Sequence, residues 1–225
     1  MNRAIRVGAS LLLACHGIAG MAEAKGRTEA DEARWTMRVY LQCIVKDARR
    51  GTAHARLVAF LSQSANNPDV NDAASAIATP DCLRMAATSF SYVAKLRFAA
   101  PLLRGEAFRA LYLAEPAPAG RAAVRPGEIA VGWSTMPEDP ATPMRNFGDC
   151  VVAIDRMQAD AAIRADVVSA AETAAYRALG PAMARCVQPN SSLRFSRAVL
   201  EGVLSEALYR QAKGVTPAVA ATEPK

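Results

Sequence analysis

Few residues in this sequence could carry out chemistry. Its 225 residues include two histidines, and His16 lies in an apolar N-terminal run, which leaves His54 to consider. One histidine excludes a metal site built from several histidines, and any Ser–His or Cys–His catalytic arrangement would depend on His54 alone. We expect His54 to be solvated, because it falls in the first turn of a predicted helix. The sequence has no Gly-rich phosphate loop and no EF-hand calcium loop.

Carboxylates leave one catalytic route open. Asp and Glu are scattered along the whole chain, so a close pair for acid–base chemistry is compatible with the sequence. No spacing singles out such a pair. We therefore predict no catalytic, cofactor-binding or metal-binding residue, and the sequence leans against an enzyme.

The N-terminus has the pattern of a signal peptide. Arg3 and Arg6 precede a largely apolar run over residues 7–20, and Ala-Glu-Ala at 22–24 is a small-x-small cleavage site. We predict a signal peptide at 1–24 and a periplasmic or secreted mature protein. A lipoprotein anchored through Cys15 is the alternative, but the residues after Cys15 stay mostly apolar, whereas a lipoprotein tether is usually polar. No later stretch of 18 apolar residues predicts a transmembrane segment.

Cleavage would leave four cysteines, Cys43, Cys82, Cys150 and Cys186. An even number in an exported chain predicts two disulfides. Four cysteines allow three pairings, and their spacing alone does not choose among them.

A stretch near the middle of the chain recurs near its end. Eight of the 17 positions in residues 96–112 are identical 97 residues later, in residues 193–209, without a gap. The recurring positions to which we assign structural roles are Leu96, Arg97, Phe98, Gly105 and Tyr112, and Leu193, Arg194, Phe195, Gly202 and Tyr209. Residues 37–45 recur at 144–152 in the same way, with Met, Arg, an aromatic residue, Cys and Val in register. These matches indicate a tandem duplication.

The duplication predicts the domain organisation. We expect an all-α fold of two tandem helical repeats, residues 25–113 and 144–213, packed together as one body. Residues 114–143 hold six of the 13 prolines and form a predicted linker, and 214–225 a flexible tail. A unit that folded before it was duplicated would have closed its own disulfide. This predicts the pairs Cys43–Cys82 and Cys150–Cys186, one within each repeat, because crossed pairing would require interlocked units.

The recurring residues have predicted roles in packing. A glycine kept twice at the middle of a helix, as at Gly105 and Gly202, indicates that another helix approaches closely there, because glycine costs roughly 1 kcal/mol relative to alanine. Phe98 and Phe195 would pack on Leu103 and Leu200 where their helices begin.

Further roles are predicted for polar groups of the repeat. Tyr112 and Tyr209 would use their hydroxyls for hydrogen bonds in the core, and Arg97 and Arg194 would be buried anchors rather than an anion site. Arg197 with Glu201, and Glu206 with Arg210, have the spacing of exposed ion pairs on one helix.

Local signals also predict helix boundaries. We expect one helix to begin at about Ala33 and another near Ala159, with N-caps at Ser169 and Ser196 and a helix end at Gly180 and Pro181.

Three motifs carry a resemblance to a known group of proteins. They are the Cys-(Ile/Val)-Val start of each repeat, its second cysteine, and Leu-Arg-Phe followed by a helix with Leu, Gly and Ala-Leu-Tyr. They resemble the motifs of small Ala-rich exported proteins of alphaproteobacteria, of the sphingomonad type. The resemblance covers Met37–Tyr112 and Met144–Tyr209. It implies export and a helical fold, and it transfers no active site.

The sequence supports three functional hypotheses. The first is a non-enzymatic exported helical module that binds a protein, an envelope component or a small ligand. The second is a small hydrolase or lyase that uses carboxylates or His54, and the third is an envelope stability factor without a small-molecule ligand. The net charge of +6 is spread along the chain without a long Lys/Arg block, which argues against nucleic acid as a partner. A deep pocket with two close carboxylates would favour the enzyme, and a groove between the repeats would favour binding.

Overall fold

The computed structural model describes residues 28–48, 53–63, 69–88, 99–114, 142–187 and 194–213. These residues form helices and no strand, so the predicted all-α fold is confirmed. The helices, in chain order, are α1 Glu29–Ala48, α2 Ala53–Ser62, α3 Val70–Ala76, α4 Pro80–Thr88, α5 Ala100–Ala114, α6 Thr142–Ile154, α7 Arg156–Arg164, α8 Ala170–Ala178, α9 Gly180–Arg185 and α10 Arg197–Ala212.

Polar residues at the helix starts fix several of these boundaries. Helix α1 begins four residues before the predicted Ala33, because Thr28 and Asp31 bond reciprocally: the Thr28 hydroxyl donates to the Asp31 carboxylate at 2.7 Å and accepts from the Asp31 amide at 3.2 Å. The predicted caps Ser169 and Ser196 are confirmed. Each accepts a hydrogen bond from the backbone three residues ahead, at 3.0 and 3.3 Å.

One predicted boundary is wrong. Helix α7 begins at Arg156, earlier than the predicted start near Ala159, because the Asp155 carboxylate caps the Gln158 amide at 3.1 Å. The predicted end at Gly180 and Pro181 is confirmed, since α8 ends at Ala178. These two residues also form the start of α9, which the sequence did not predict, and a proline at the first positions of a helix loses no helical hydrogen bond.

The two predicted disulfides are present. Cys43–Cys82 joins α1 to α4 with its Cα atoms 5.5 Å apart, and Cys150–Cys186 joins α6 to the end of α9 with its Cα atoms 5.9 Å apart. Each bridge closes a loop within one half of the chain. Helix α1 also packs on α5, and α6 also packs on α10. Each disulfide therefore links helices around one long helix, which is α5 in the first half and α10 in the second.

Helices α5 and α10 form the most extensive helix pair among the described residues, and they join the two halves. One hydrophobic cluster centres on α1, with Leu41, Ile44 and Phe60 fully buried. The second centres on α6 and α10, and Tyr112 of α5 belongs to it. A side chain from the first half therefore completes the core of the second, which makes the molecule one packed body.

Several sequence predictions lie outside the described residues. These are the signal peptide at 1–24, the tail at 214–225 and nearly all of the linker at 114–143. Among the described helices, none is both long enough and apolar enough to span a membrane.

Candidate functional site

Helices α5 and α10 touch at Gly105 and Gly202. A Cβ atom placed on Gly105 would lie 2.5 Å from the Cα of Gly202, and one on Gly202 would lie 2.9 Å from the Cα of Gly105. A side chain at either position would therefore overlap the opposite backbone. The predicted close approach of the two helices at these glycines is confirmed.

A cleft of about 240 Å³ opens beside this crossing. Both halves of the chain supply its walls, which consist of the start of α5, the start of α6 and one face of α10. The apolar part of the lining includes Pro101, Leu102, Met144, Ala198, Val199 and Val203. The charged part comprises Arg104, Arg145, Glu206 and Arg210.

One wall of the cleft is held in place by a second close contact. A Cβ atom on Gly148 of α6 would lie 2.6 Å from Cγ1 of Val203 and 2.8 Å from its carbonyl oxygen. The missing side chain lets α6 press against α10 and brings Met144 and Arg145 to the cleft.

The charged end of the cleft is built around Glu206. Its carboxylate accepts two hydrogen bonds from Arg104, at 2.5 and 3.1 Å, and one from Nε of Arg145 at 3.0 Å. The Arg104 guanidinium lies 4.7 Å from the centre of the Phe108 ring, which fixes it further. Arg104 is buried, whereas the side chain of Arg145 keeps 29% of its surface exposed.

Arg210 borders the same end and donates to the Asp149 carboxylate at 2.9 Å. Burial raises the pKa of Asp149, although the neighbouring Arg210 opposes the rise. The arginine side chain is 21% exposed and the carboxylate is buried. At this end of the cleft, the guanidinium groups of Arg145 and Arg210 are therefore partly exposed, and each is paired with a buried carboxylate.

On the other side of the α5–α10 crossing lies a fully buried group of charges, which we call the inner ion network. Its members come from α1, α5, α8 and α10, and they are Arg34, Arg38, Glu106, Arg109, Glu172 and Glu201. Three cations face three carboxylates. Such balance is what a buried ionic group needs, because an unpaired charge in the interior is strongly destabilising.

Glu201 is the centre of the inner ion network. It binds Arg34 at 2.8 Å and Arg109 at 3.1 Å, and its Oε1 accepts a short hydrogen bond from Arg38. Arg38 also donates to the carbonyl of Ala165 at 2.7 Å. One carboxylate on α10 thus joins helices α1 and α5 and the turn after α7.

Glu172 holds the edge of this network. Its Oε1 accepts from Arg34, and its Oε2 accepts from the Val168 amide at 2.9 Å. Val168 has a φ of 66°, which is unfavourable for a β-branched residue. Burial lowers the pKa of the Arg34 guanidinium, but Glu172 and Glu201 outweigh it, and the net shift is upward.

Glu106 has a strongly raised pKa. Burial raises its pKa to about 7, and the nearby Glu201 adds to the rise, while Arg109 and Arg38 oppose it. Its Oε1 accepts from Arg109 at 2.9 Å. Glu106 does not line the cleft, so this proton affinity acts inside the core rather than on a bound molecule.

The structure places the remaining repeat residues as follows. The ring of Phe195 packs 5.0 Å from that of Phe147, and Phe195 and Leu200 belong to the same hydrophobic cluster. The direct packing of Phe195 on Leu200 stays a prediction. The Tyr112 hydroxyl donates to the Asp160 carboxylate at 2.8 Å. Tyr209 packs against both hydrophobic clusters. The other members, Leu96, Arg97, Phe98 and Leu193, lie outside the described residues.

Arg194 does not have the predicted role. It is exposed, just before the Ser196 cap, so it is no buried anchor. The buried arginines of the described residues lie on α1 and α5, where carboxylates from distant parts of the chain reach them.

The two predicted ion pairs along α10 are also wrong. Glu201 binds arginines of α1 and α5, and Arg197 lies 4.2 Å from the centre of the Tyr176 ring. Glu206 binds Arg104 and Arg145. The two glutamates therefore face arginines of α1, α5 and α6 rather than solvent.

His54 is exposed on α2, as predicted, and does not line the cleft. Among the described residues, Cys43, Asp47 and Cys82 lie close enough to form a metal-binding group. Both cysteines are engaged in a disulfide, and a disulfide sulfur does not bind metal as a thiolate does. The Asp47 carboxylate, 3.4 Å from Sγ of Cys82, is a contact rather than a hydrogen bond, because that sulfur carries no proton.

Sequence reasoning did not find the partners of the charged residues on either side of the crossing. One signal was available: at two pairs of positions that lie 97 residues apart, α5 has an arginine where α10 has a glutamate. Arg104 corresponds to Glu201, and Arg109 corresponds to Glu206. These residues pair across the crossing, Arg104 with Glu206 and Arg109 with Glu201.

Comparisons of this chain with protein-family models, with curated proteins and with solved structures found no match.

Proposed function

We propose that this protein is an exported helical module without catalytic activity that binds a small ligand with an apolar body in the cleft between its halves. The observation that carries the proposal is the cleft of about 240 Å³ at the Gly105–Gly202 crossing. This volume is somewhat below the roughly 300–1,000 Å³ of typical drug-sized sites, which suits a small ligand.

The composition of the cleft supports binding over catalysis. Its described lining holds a single carboxylate, Glu206, and two arginines already occupy that group. Acid–base chemistry of the hydrolase type needs a second positioned group beside the substrate. Glu106 has a suitable proton affinity, but it lies in the inner ion network, away from the cleft.

Rigid walls also support this assignment. The cleft is formed where two helices touch at glycine backbones and where each half is tied by its own disulfide. A cavity that is already formed in the free protein loses little ordering entropy when a ligand enters it.

Titration with a panel of small apolar and amphipathic compounds, followed by NMR of the backbone amides, tests the proposal. We expect shifts concentrated at Gly105, Val199 and Gly202. Replacing Ala198 with Phe fills the apolar part of the cleft and abolishes them, whereas Ala174→Phe, on the exposed face of α8, leaves them unchanged. Shifts that persist in the Ala198→Phe protein would exclude the cleft as the binding site.

We also propose that the mature protein acts in the periplasm or outside the cell. The two disulfides support this, because disulfides persist in oxidising compartments. Cell fractionation with N-terminal sequencing tests it: export with cleavage at the predicted site gives a mature chain that begins at Lys25. A chain that begins at lipid-modified Cys15 would replace this proposal with the lipoprotein.

We infer a tandem duplication as the origin of this arrangement. Corresponding cysteines form corresponding bridges, and α5 and α10 meet at corresponding glycines.

A further inference from the structure

We propose that the ligand of the cleft is an elongated amphipathic anion, an alkyl chain ending in a carboxylate. The inference rests on the proposed function and specifies the chemistry of its ligand. Three features carry it: the shape of the cleft along α10, the order of apolar and charged residues on its walls, and the kind of cation at its charged end.

The lining of the cleft extends along α10. Along α10 its lining runs from Ala198 to Arg210, which at 1.5 Å per residue corresponds to about 18 Å. A volume of about 240 Å³ spread over that length leaves room for a chain and not for a broad ring system.

The polarity of the lining changes along the same line. The first turn of α10 presents Ala198 and Val199, whereas its later turns present Glu206 and Arg210. Arg145 of α6 and Arg104 of α5 join the charged end through Glu206. A ligand that satisfies both ends has an apolar tail near the start of α10 and a polar head near Arg145 and Arg210.

The charged end suits an anion. The described lining carries three guanidinium groups and one carboxylate, and Asp149 behind Arg210 adds a second carboxylate. The guanidinium groups of Arg145 and Arg210 are partly exposed, while both carboxylates are buried. An incoming head group therefore meets cations first. A planar guanidinium matches the two oxygens of a carboxylate better than it matches an alcohol.

The inner ion network differs from the charged end of the cleft in its ability to take up an anion. It consists of three arginines and three glutamates, all buried. Its charged groups are all buried, so it admits no ligand, whereas Arg145 and Arg210 of the cleft keep part of their side chains exposed.

Binding of three probes with the same chain, octanoate, 1-octanol and octylammonium, tests the inference by calorimetry and amide NMR on the full mature protein. We expect octanoate to bind about tenfold more tightly than 1-octanol, since a charged hydrogen bond strengthens binding by that order, and octylammonium to bind most weakly. The preference for octanoate should decrease as salt is added.

Arg145→Gln should reduce the advantage of octanoate over 1-octanol to less than about threefold while leaving 1-octanol binding unchanged. Arg164→Gln is the matched control, because Arg164 is a partly exposed arginine paired with Asp160 outside the cleft. Thermal melting of both variants verifies that each is folded.

The outcomes separate the two proposals. Binding of all three probes with equal affinity, or a preference for octylammonium, would overturn the anionic ligand and leave the cleft as a binding site. Failure of every probe to shift the amides of the cleft would overturn the proposed function itself.

Discussion

The Cα atom of Gly202 lies so close to Gly105 that the Cβ atom of any other residue at position 105 would overlap it. The virtual Cβ of Gly105 is 2.5 Å from it, and the reverse distance, from Gly202 to Gly105, is 2.9 Å. The two halves can therefore pack at this distance only because neither position carries a side chain.

Replacing Gly105 or Gly202 with alanine should destabilise the protein by about 1–3 kcal/mol, because the added methyl group forces α5 and α10 apart. Alanine favours an isolated helix by about 1 kcal/mol over glycine, so the expected sign is opposite to that of helix propensity. Urea unfolding measures the change. Gly180→Ala is the control: no atom lies within 4 Å of its virtual Cβ, and we expect no loss of stability. Equal stability of all three variants would contradict the backbone contact.

Replacing Glu201 with glutamine should destabilise the protein by about 3–5 kcal/mol, because three buried arginines lose their shared carboxylate. The corresponding change at an exposed pair, Asp81→Asn beside Arg84, should cost under about 1 kcal/mol. Chemical denaturation of both variants gives the comparison. Similar losses at the two sites would show that the inner ion network contributes no more than a surface pair.

Glu106 should make the free energy of unfolding depend on pH. Its pKa is raised from the ordinary 4.5 to about 7, mainly by burial, so the folded protein binds this proton more tightly than the unfolded chain. Its contribution to stability is complete below about pH 4.5 and is lost as the pH rises through about 7. Unfolding midpoints between pH 4.5 and 8 should therefore fall with rising pH.

Glu106→Gln isolates this effect, since it keeps an acceptor for Arg109 and removes the titration. We expect the decline over this pH range to become shallower in the variant. Asp149, whose pKa burial also raises, would account for a remaining slope of the same sign. A variant with the slope of the parent would exclude Glu106 as the titrating group.

Removing the second disulfide with Cys150→Ser and Cys186→Ser should cost about 4 kcal/mol by the chain-entropy model, and removing Cys43 and Cys82 should cost about the same, because the bridges span similar separations of 36 and 39 residues. Unfolding of each paired variant, with and without reductant, measures the losses. A reductant that leaves the parent protein as stable as before would contradict this expectation.

The sequence predicted the parts of the fold that depend on local pattern and on the repeat. Ser169 and Ser196 cap helices because capping is decided within four residues, and the cysteine pairs follow from their matching places in the two units. Gly105 and Gly202 were predicted to touch because a mid-helix glycine is costly unless a backbone comes near.

The charged residues could not be assigned in the same way. Arg34 and Glu172 are 138 positions apart, and Arg38 and Glu201 are 163 apart, so no local pattern joins them. On α10 the glutamates have arginines at helical spacing, which favoured exposed pairs along the helix. Whether such a residue faces solvent or a distant partner is decided by packing, and the cleft between α5, α6 and α10 exists only once these helices are assembled.

The opposite charges on α5 and α10 determine which surfaces can associate. Two copies of α5 facing each other would bring together the arginines at 104 and 109, and two copies of α10 would bring together the glutamates at 201 and 206. The mixed pair instead places both arginines against glutamates, Arg104 against Glu206 and Arg109 against Glu201. An exchange of this interface between molecules would therefore pair the first half of one chain with the second half of another.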